Sequence, residues 1–158
     1  MRCVILGAGK IARGFVGHLL YLSNIPFTFV EKFDGLVDLI NERGQYTVNI
    51  LGNPEKNCVV KGVRAIRFSD AEAVTDAIAE ADVVFTSVGG KNLGDLVPLL
   101  KGGIEKKAKI GGNLNVITCE NWKLPATILR NGVEETIAEE AKEYLANCVG
   151  MTEAVIMR

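Results

Sequence analysis

The chain has 158 residues, 18 Lys+Arg against 19 Asp+Glu, and 48% hydrophobic residues. That length suits one domain able to bury about two-thirds of its unfolded surface, and the net charge of −1 argues against nucleic acid or an anionic membrane as partner. No apolar run approaches ~20 residues, and Arg2, Lys10 and Arg13 interrupt the N-terminus, so neither a membrane span nor a signal peptide is expected.

Cys3-Val4-Ile5-Leu6 is a short apolar run that stops at Gly7, the pattern of a strand buried on both faces. Apolar residues at Ile11, Phe15, Leu19 and Leu22, with Val16 and Leu20 beside them, predict a helix closed by Ser23-Asn24. Phe27-Thr28-Phe29-Val30 follows Pro26 as a second strand and ends at Glu31. Strand, helix and strand make a βαβ unit, for which a right-handed crossover is expected. A second helix with Leu36, Leu39 and Ile40 on one side stops at Gly44. Residues 45–68 predict a small extended insertion, with Tyr46 to Leu51, Cys58 to Val60 and Ile66 to Phe68 as hairpin-like strands around the turn Gly52-Asn53-Pro54.

Ser69 and Glu72 predict a capping box for a third helix, whose inner face carries Val74, Ala77, Ile78 and Ala81. Val83 to Val88 is the next buried strand, ending at Gly89-Gly90. A helix with Leu93, Leu96, Val97 and Leu100 is expected to give way to a Lys-rich turn from Lys101 to Lys109. Asn115 to Cys119 forms a strand that stops at Glu120-Asn121. The last predicted helix turns Ile137, Ala141, Tyr144, Leu145 and Cys148 inward, with Glu134 and Glu135 at its positive N-terminal end. Ala154 to Arg158 is apolar enough to begin another strand, which suggests that the protein continues past Arg158. Strands alternating with helices predict an α/β fold, a doubly wound and mostly parallel sheet over residues 1–158.

Chemistry concentrates in Gly7-Ala8-Gly9-Lys10-Ile11-Ala12, a G-x-G-x-x-A sequence where the first strand meets the first helix. Gly7 permits the tight turn, Gly9 lets a pyrophosphate approach the backbone, and Ala12 keeps the helix close to the sheet. The helix N-terminus then offers N–H groups and partial positive charge to the phosphates. Gly14 and Gly17 extend the small face down the helix. Glu31 ends the second strand about 20 residues later, where a carboxylate accepts both hydroxyls of an adenosine ribose and repels a 2′-phosphate. NAD is thereby favoured over NADP, although Lys32 follows directly and works against the repulsion.

Competing motifs fit less well. Gly9-Lys10 and Gly90-Lys91 resemble the end of a P-loop but are followed by Ile11 and Asn92, not Ser or Thr. Methyltransferases pair a similar turn with a later acid, yet Ile5-Leu6 stands where they carry a further acidic residue. Cys3, Cys58, Cys119 and Cys148 are scattered, with no C-x-x-C pair and one histidine, so no metal site is expected. Reduced cysteines in apolar runs suit a cytoplasmic protein.

On these residues the chain resembles the N-terminal domain of the mannitol dehydrogenase family. The resemblance runs through Gly7-Ala8-Gly9-Lys10-Ile11-Ala12-Arg13-Gly14-Phe15, Phe29-Val30-Glu31, Thr86-Ser87-Val88-Gly89 and Val116-Ile117-Thr118-Cys119-Glu120-Asn121. It implies a Rossmann domain for NAD, serving oxidation of a small-molecule sugar-alcohol phosphate such as mannitol 1-phosphate. It also implies a second, helical domain outside this chain, bearing a catalytic lysine in a K-x-x-x-x-N-x-x-H pattern. His18 does not complete that pattern, because Phe15 and Lys10 hold the other two places, so no catalytic residue is assigned here. By resemblance, Val88 and Gly89 line the cofactor. Asn121 faces the nicotinamide ribose or substrate unless it only caps the segment before Pro125. Arg13 reaches a phosphate or pairs with a surface acid. Family members carry an acid before arginine on entering the second domain, and here Met157 precedes Arg158. Two alternatives share the glycine turn: a stand-alone NAD(H) sensor module, and the nucleotide domain of another hydroxy-acid oxidoreductase.

Overall fold

A computed structural model describes residues 1–156. Strand β1 (Cys3–Leu6) is paired at both edges and buried along its whole length, because its side chains pack into a core on each face of the sheet. On one side lies β2 (Phe27–Glu31), in the register Cys3↔Phe27 to Leu6↔Val30. The chain reaches it through a π-helical segment, Ala12–Val16, that runs directly into α1 (Gly17–Leu22). Helix α2 (Asp34–Arg43) ends at Gly44, whose left-handed backbone (φ 58°) closes it as expected. Strands β3 (Gln45–Val48) and β4 (Cys58–Lys61) then pair antiparallel to each other.

The next strand corrects the predicted insertion. β5 (Ala65–Arg67) does not join the hairpin; it pairs parallel with β2 at the sheet edge, from Phe29↔Ala65 to Glu31↔Arg67. The hairpin is therefore β3 and β4 alone, and β5 is the third strand of a doubly wound sheet. Helix α3 (Ala71–Glu80) takes its cap from Asp70, whose carboxylate accepts the Ala73 N–H at 3.1 Å, and not from Ser69. Strand β6 (Val83–Thr86) pairs with the free edge of β1 and stops short of Val88.

A 3₁₀ segment (Gly90–Leu96) leads into α4 (Val97–Ile110), which absorbs the expected Lys-rich turn. Its Lys107 is buried and donates to the Ala79 carbonyl at 3.0 Å, near the negative C-terminal end of α3. After β7 (Leu114–Thr118) comes α5 (Pro125–Thr136), a helix the sequence pattern did not predict. Pro125 occupies its first turn, where the absent N–H costs nothing, so it starts a helix instead of breaking one. Glu134 and Glu135 consequently sit at a helix C-terminal end, and Arg130 pairs with Glu134 at 2.9 Å. Only α6 (Lys142–Cys148) remains of the predicted last helix. The expected final strand lies earlier, at β8 (Val149–Glu153), with Ala154 adding one bond to the Thr118 carbonyl; Met157 and Arg158 are outside the described residues.

The main sheet has the order β5-β2-β1-β6-β7-β8 and every neighbouring pair is parallel. Side chains alternate across it, as the two-residue period of a strand requires. Val4 and Leu6 join a core with α3, α4 and α5, whereas Cys3 and Ile5 join one with α1, α2 and the hairpin. All four cysteines are free thiols, and burial pushes those of Cys3 and Cys119 up to about 11. Among the described residues no helix is long and apolar enough to cross a membrane, and no cluster of His, Cys, Asp and Glu could hold a metal.

Candidate functional site

The strand order reverses between β1 and β6, so the connections leaving their C-terminal ends run in opposite directions. That divergence opens a crevice, the usual ligand position in doubly wound sheets. Two main-chain bonds shape its floor: Gly7 N–H to the Val30 carbonyl (2.7 Å) and Ser87 N–H to the Leu6 carbonyl (2.8 Å). Gly7 has φ +97°, and a Cβ there would overlap the Ser87 carbonyl, so no other residue fits. A Cβ at Gly9 would meet nothing within 4 Å. The space above the Gly9 backbone is therefore open, at the start of the first helix where N–H groups lack intrahelical partners.

A groove of about 240 Å³ runs from this turn along the sheet edge. Gly7, Gly9, Glu31 and Val88 line it together, joined by Lys32, Phe68, Asn92 and Asp95. Glu31 is fixed at its wall: one carboxylate oxygen accepts the Ala8 N–H at 2.8 Å, the other the N–H groups of Lys32 (2.8 Å) and Phe33 (3.0 Å). Ala8 is itself fully buried, so its N–H serves Glu31. Ala12 is fully buried against the sheet, as its small size requires.

Lys10 lines a second depression of about 590 Å³ on the other side of the turn, with Arg13, Tyr46 and Asn49. Ile11 is half-buried and lines neither space. Arg13 donates to the Ala8 carbonyl and braces the glycine turn. In the π-helical segment the Gly17 N–H bonds the Ala12 carbonyl, and the Tyr46 hydroxyl donates to the Arg13 carbonyl at 2.9 Å. Burial pushes the Tyr46 phenol up, which keeps that donor protonated. His18 is half-buried on the helix beyond.

The loop after β6 has its own anchor. Glu120, only 5% exposed, accepts the N–H groups of Val88 (2.8 Å) and Gly89 (3.0 Å). The Asn92 side chain donates to the Val88 carbonyl at 2.7 Å. Gly89, at φ +82°, and the exposed Asn121 flank this arrangement without lining the groove. Sequence reasoning passed over Glu120, Phe68 and Asp95. Glu120 stood inside the Cys119-Glu120-Asn121 match, and a carboxylate directly after a buried strand was the available signal. Phe68 and Asp95 gave none, since only folding brings them to the groove.

Comparison with known proteins agrees with this fold. The family model described as the mannitol dehydrogenase Rossmann domain matches residues 1–158. A mannitol-1-phosphate 5-dehydrogenase of Clostridium acetobutylicum is 38% identical, over the whole of this chain and 41% of its own length. One from Thermoanaerobacter pseudethanolicus is 36% identical with the same coverage. The chain thus spans about 41% of the length of these relatives. Among solved structures, a PanE/ApbA family ketopantoate reductase from Ralstonia eutropha JMP134 shares the fold with a TM-score of 0.65 and 16% identity, over 99% of this chain and 42% of that one. The chain belongs to the mannitol dehydrogenase family and is its Rossmann domain.

Proposed function

We propose that residues 1–158 form an NAD-binding domain that prefers NAD to NADP and serves a dehydrogenase acting on sugar-alcohol phosphates. The observation that carries the reading is the fixed Glu31 carboxylate, held by three N–H groups at the wall of a groove that begins over the open Gly9 backbone. That groove fits an adenosine ribose followed by a pyrophosphate. Gly7, Gly9, Lys10 and the N–H groups at Ile11 and Ala12 hold the phosphates, Glu31 binds the ribose hydroxyls, and Ala8 and Ala12 shape the turn. Val88, Gly89 and Asn121 bound the nicotinamide half.

NAD, when bound, supplies the hydride chemistry. This chain's residues orient it: Arg13 braces the turn and Glu120 holds the opposite loop. The substrate reading rests on the relatives, which are named mannitol-1-phosphate 5-dehydrogenases and are longer than this chain. Titration calorimetry on the folded chain tests the cofactor reading. NAD binding more tightly than NADP is expected, and a folded chain that binds no NAD would overturn it.

A further inference from the structure

The notable charge at the groove mouth is Lys32. It directly follows the residue that meets the ribose hydroxyls, so its ammonium is within reach of a 2′-phosphate there. The side chain is instead drawn across the groove. Its Nζ lies 5.9 Å over the centroid of the Phe68 ring and 3.4 Å from a carboxylate oxygen of Asp95 on the opposite wall. Three elements meet in this contact: the end of β2, the segment after β5 and the 3₁₀ segment after β6. Glu31 cannot follow Lys32 across, because Ala8, Lys32 and Phe33 N–H groups hold its carboxylate.

We propose that Asp95 is a specificity-determining residue, which rejects NADP by holding the Lys32 ammonium over Phe68 and away from the 2′-phosphate. The proposal rests on the NAD reading above. The physical case is a competition for one cation. A 2′-phosphate beside Glu31 needs a neighbouring positive charge to offset the carboxylate, and Lys32 is the cation next to it in sequence. Asp95 and the negative face of Phe68 offer that cation another seat. Both partners of the ion pair are well exposed, 73% and 53%, so water screens it and it biases the lysine without locking it.

The test uses half-site ligands, AMP and adenosine 2′,5′-bisphosphate, titrated into the 158-residue chain at low ionic strength. Asp95→Asn should raise the affinity ratio of bisphosphate to AMP about fivefold, the scale of one exposed ion pair. At high salt the gain should shrink. In a Lys32→Ala background, Asp95→Asn should produce no gain. A gain that persists without Lys32 means that Asp95 repels the phosphate directly and overturns the proposal, as does an unchanged ratio in Asp95→Asn. A wild-type chain that binds neither AMP nor NAD would instead overturn the NAD reading and this proposal with it. Both side chains are at the surface, so the variants should fold.

Discussion

Glu31 and Glu120 are two carboxylates at the C-terminal ends of parallel strands that accept main-chain N–H groups, yet they face different partners. Glu31 is half-buried and shares a groove with Gly7 and Gly9 while bonding Ala8, Lys32 and Phe33. Glu120 is buried and spends its oxygens on the Val88 and Gly89 N–H groups. The first is positioned to meet a ligand; the second holds the loop that the ligand would meet. Of about four lone-pair sites, Glu31 has given three to N–H groups and Glu120 two, so exposure decides whether a ligand can reach the acid, and only Glu31 opens on the groove. Position at a strand end does not decide that.

The comparison breaks most visibly on stability. Glu120→Ala takes the acceptor from the half-buried Val88 N–H, at about 1–3 kcal/mol, while the exposed Gly89 N–H can turn to water. Urea unfolding should therefore show a loss of roughly 2 kcal/mol, with Tm falling accordingly. A loss under ~0.5 kcal/mol would mean that water replaces the carboxylate and that Glu120 does not hold the loop. Glu31→Ala should differ in kind. Its Lys32 and Phe33 partners are exposed and can turn to water, while the buried Ala8 N–H loses its acceptor, so a stability loss of about 1–3 kcal/mol accompanies the effect on ligand. NAD affinity should fall about tenfold, the worth of one charge-assisted bond to a ribose hydroxyl, and NADP affinity should fall less. Equal losses for the two nucleotides would remove Glu31 from the ribose.

Tyr46→Phe sharpens the same contrast from the hairpin side. It removes one neutral hydrogen bond, to the Arg13 carbonyl, at a cost of about 1 kcal/mol. Because Tyr46 is outside the groove of Glu31, the unfolding midpoint should move while the NAD titration stays close to wild type. A loss of NAD affinity larger than the loss of stability would mean that the Tyr46 hydroxyl itself reaches the nucleotide.

The outline of the fold was legible because buried parallel strands are continuous apolar runs. Cys3–Leu6, Phe27–Val30 and Asn115–Thr118 needed no tertiary information. β5 was harder to assign, since three residues next to a true hairpin look like a third hairpin strand until the β2 edge claims them. α5 was hidden by Pro125, whose effect depends on whether it enters or interrupts a helix. In the site, the glycine turn and Glu31 were legible because a backbone approach and a strand-end acid leave a local signature. Lys32 against Asp95 and Glu120 against Val88 were not, because each joins residues far apart in the chain through charge and N–H direction.

The smallest expected signal comes from Cys119, which directly precedes Glu120. Burial first, and then the Glu120 charge, push its thiol from an ordinary 9.0 up to about 11. Since the folded value is the higher, its contribution to stability is complete below pH 9.0 and is lost as pH rises through about 11. Cys3, raised to about 11 by burial, acts over the same window. Unfolding free energy measured under reducing conditions should therefore fall across that window, less steeply in Cys119→Ala, where only Cys3 remains. Glu120→Gln removes the charge beside the thiol, so the folded Cys119 should ionise at lower pH, and the decline, which still begins at the unfolded value, should be smaller and end sooner. Glu31→Ala should leave the size of the decline unchanged, because the charge raising the Cys119 thiol is that of Glu120. If Glu120→Gln and wild type lose the same stability over the same pH range, the Glu120 charge does not act on the Cys119 thiol, and burial alone raises it.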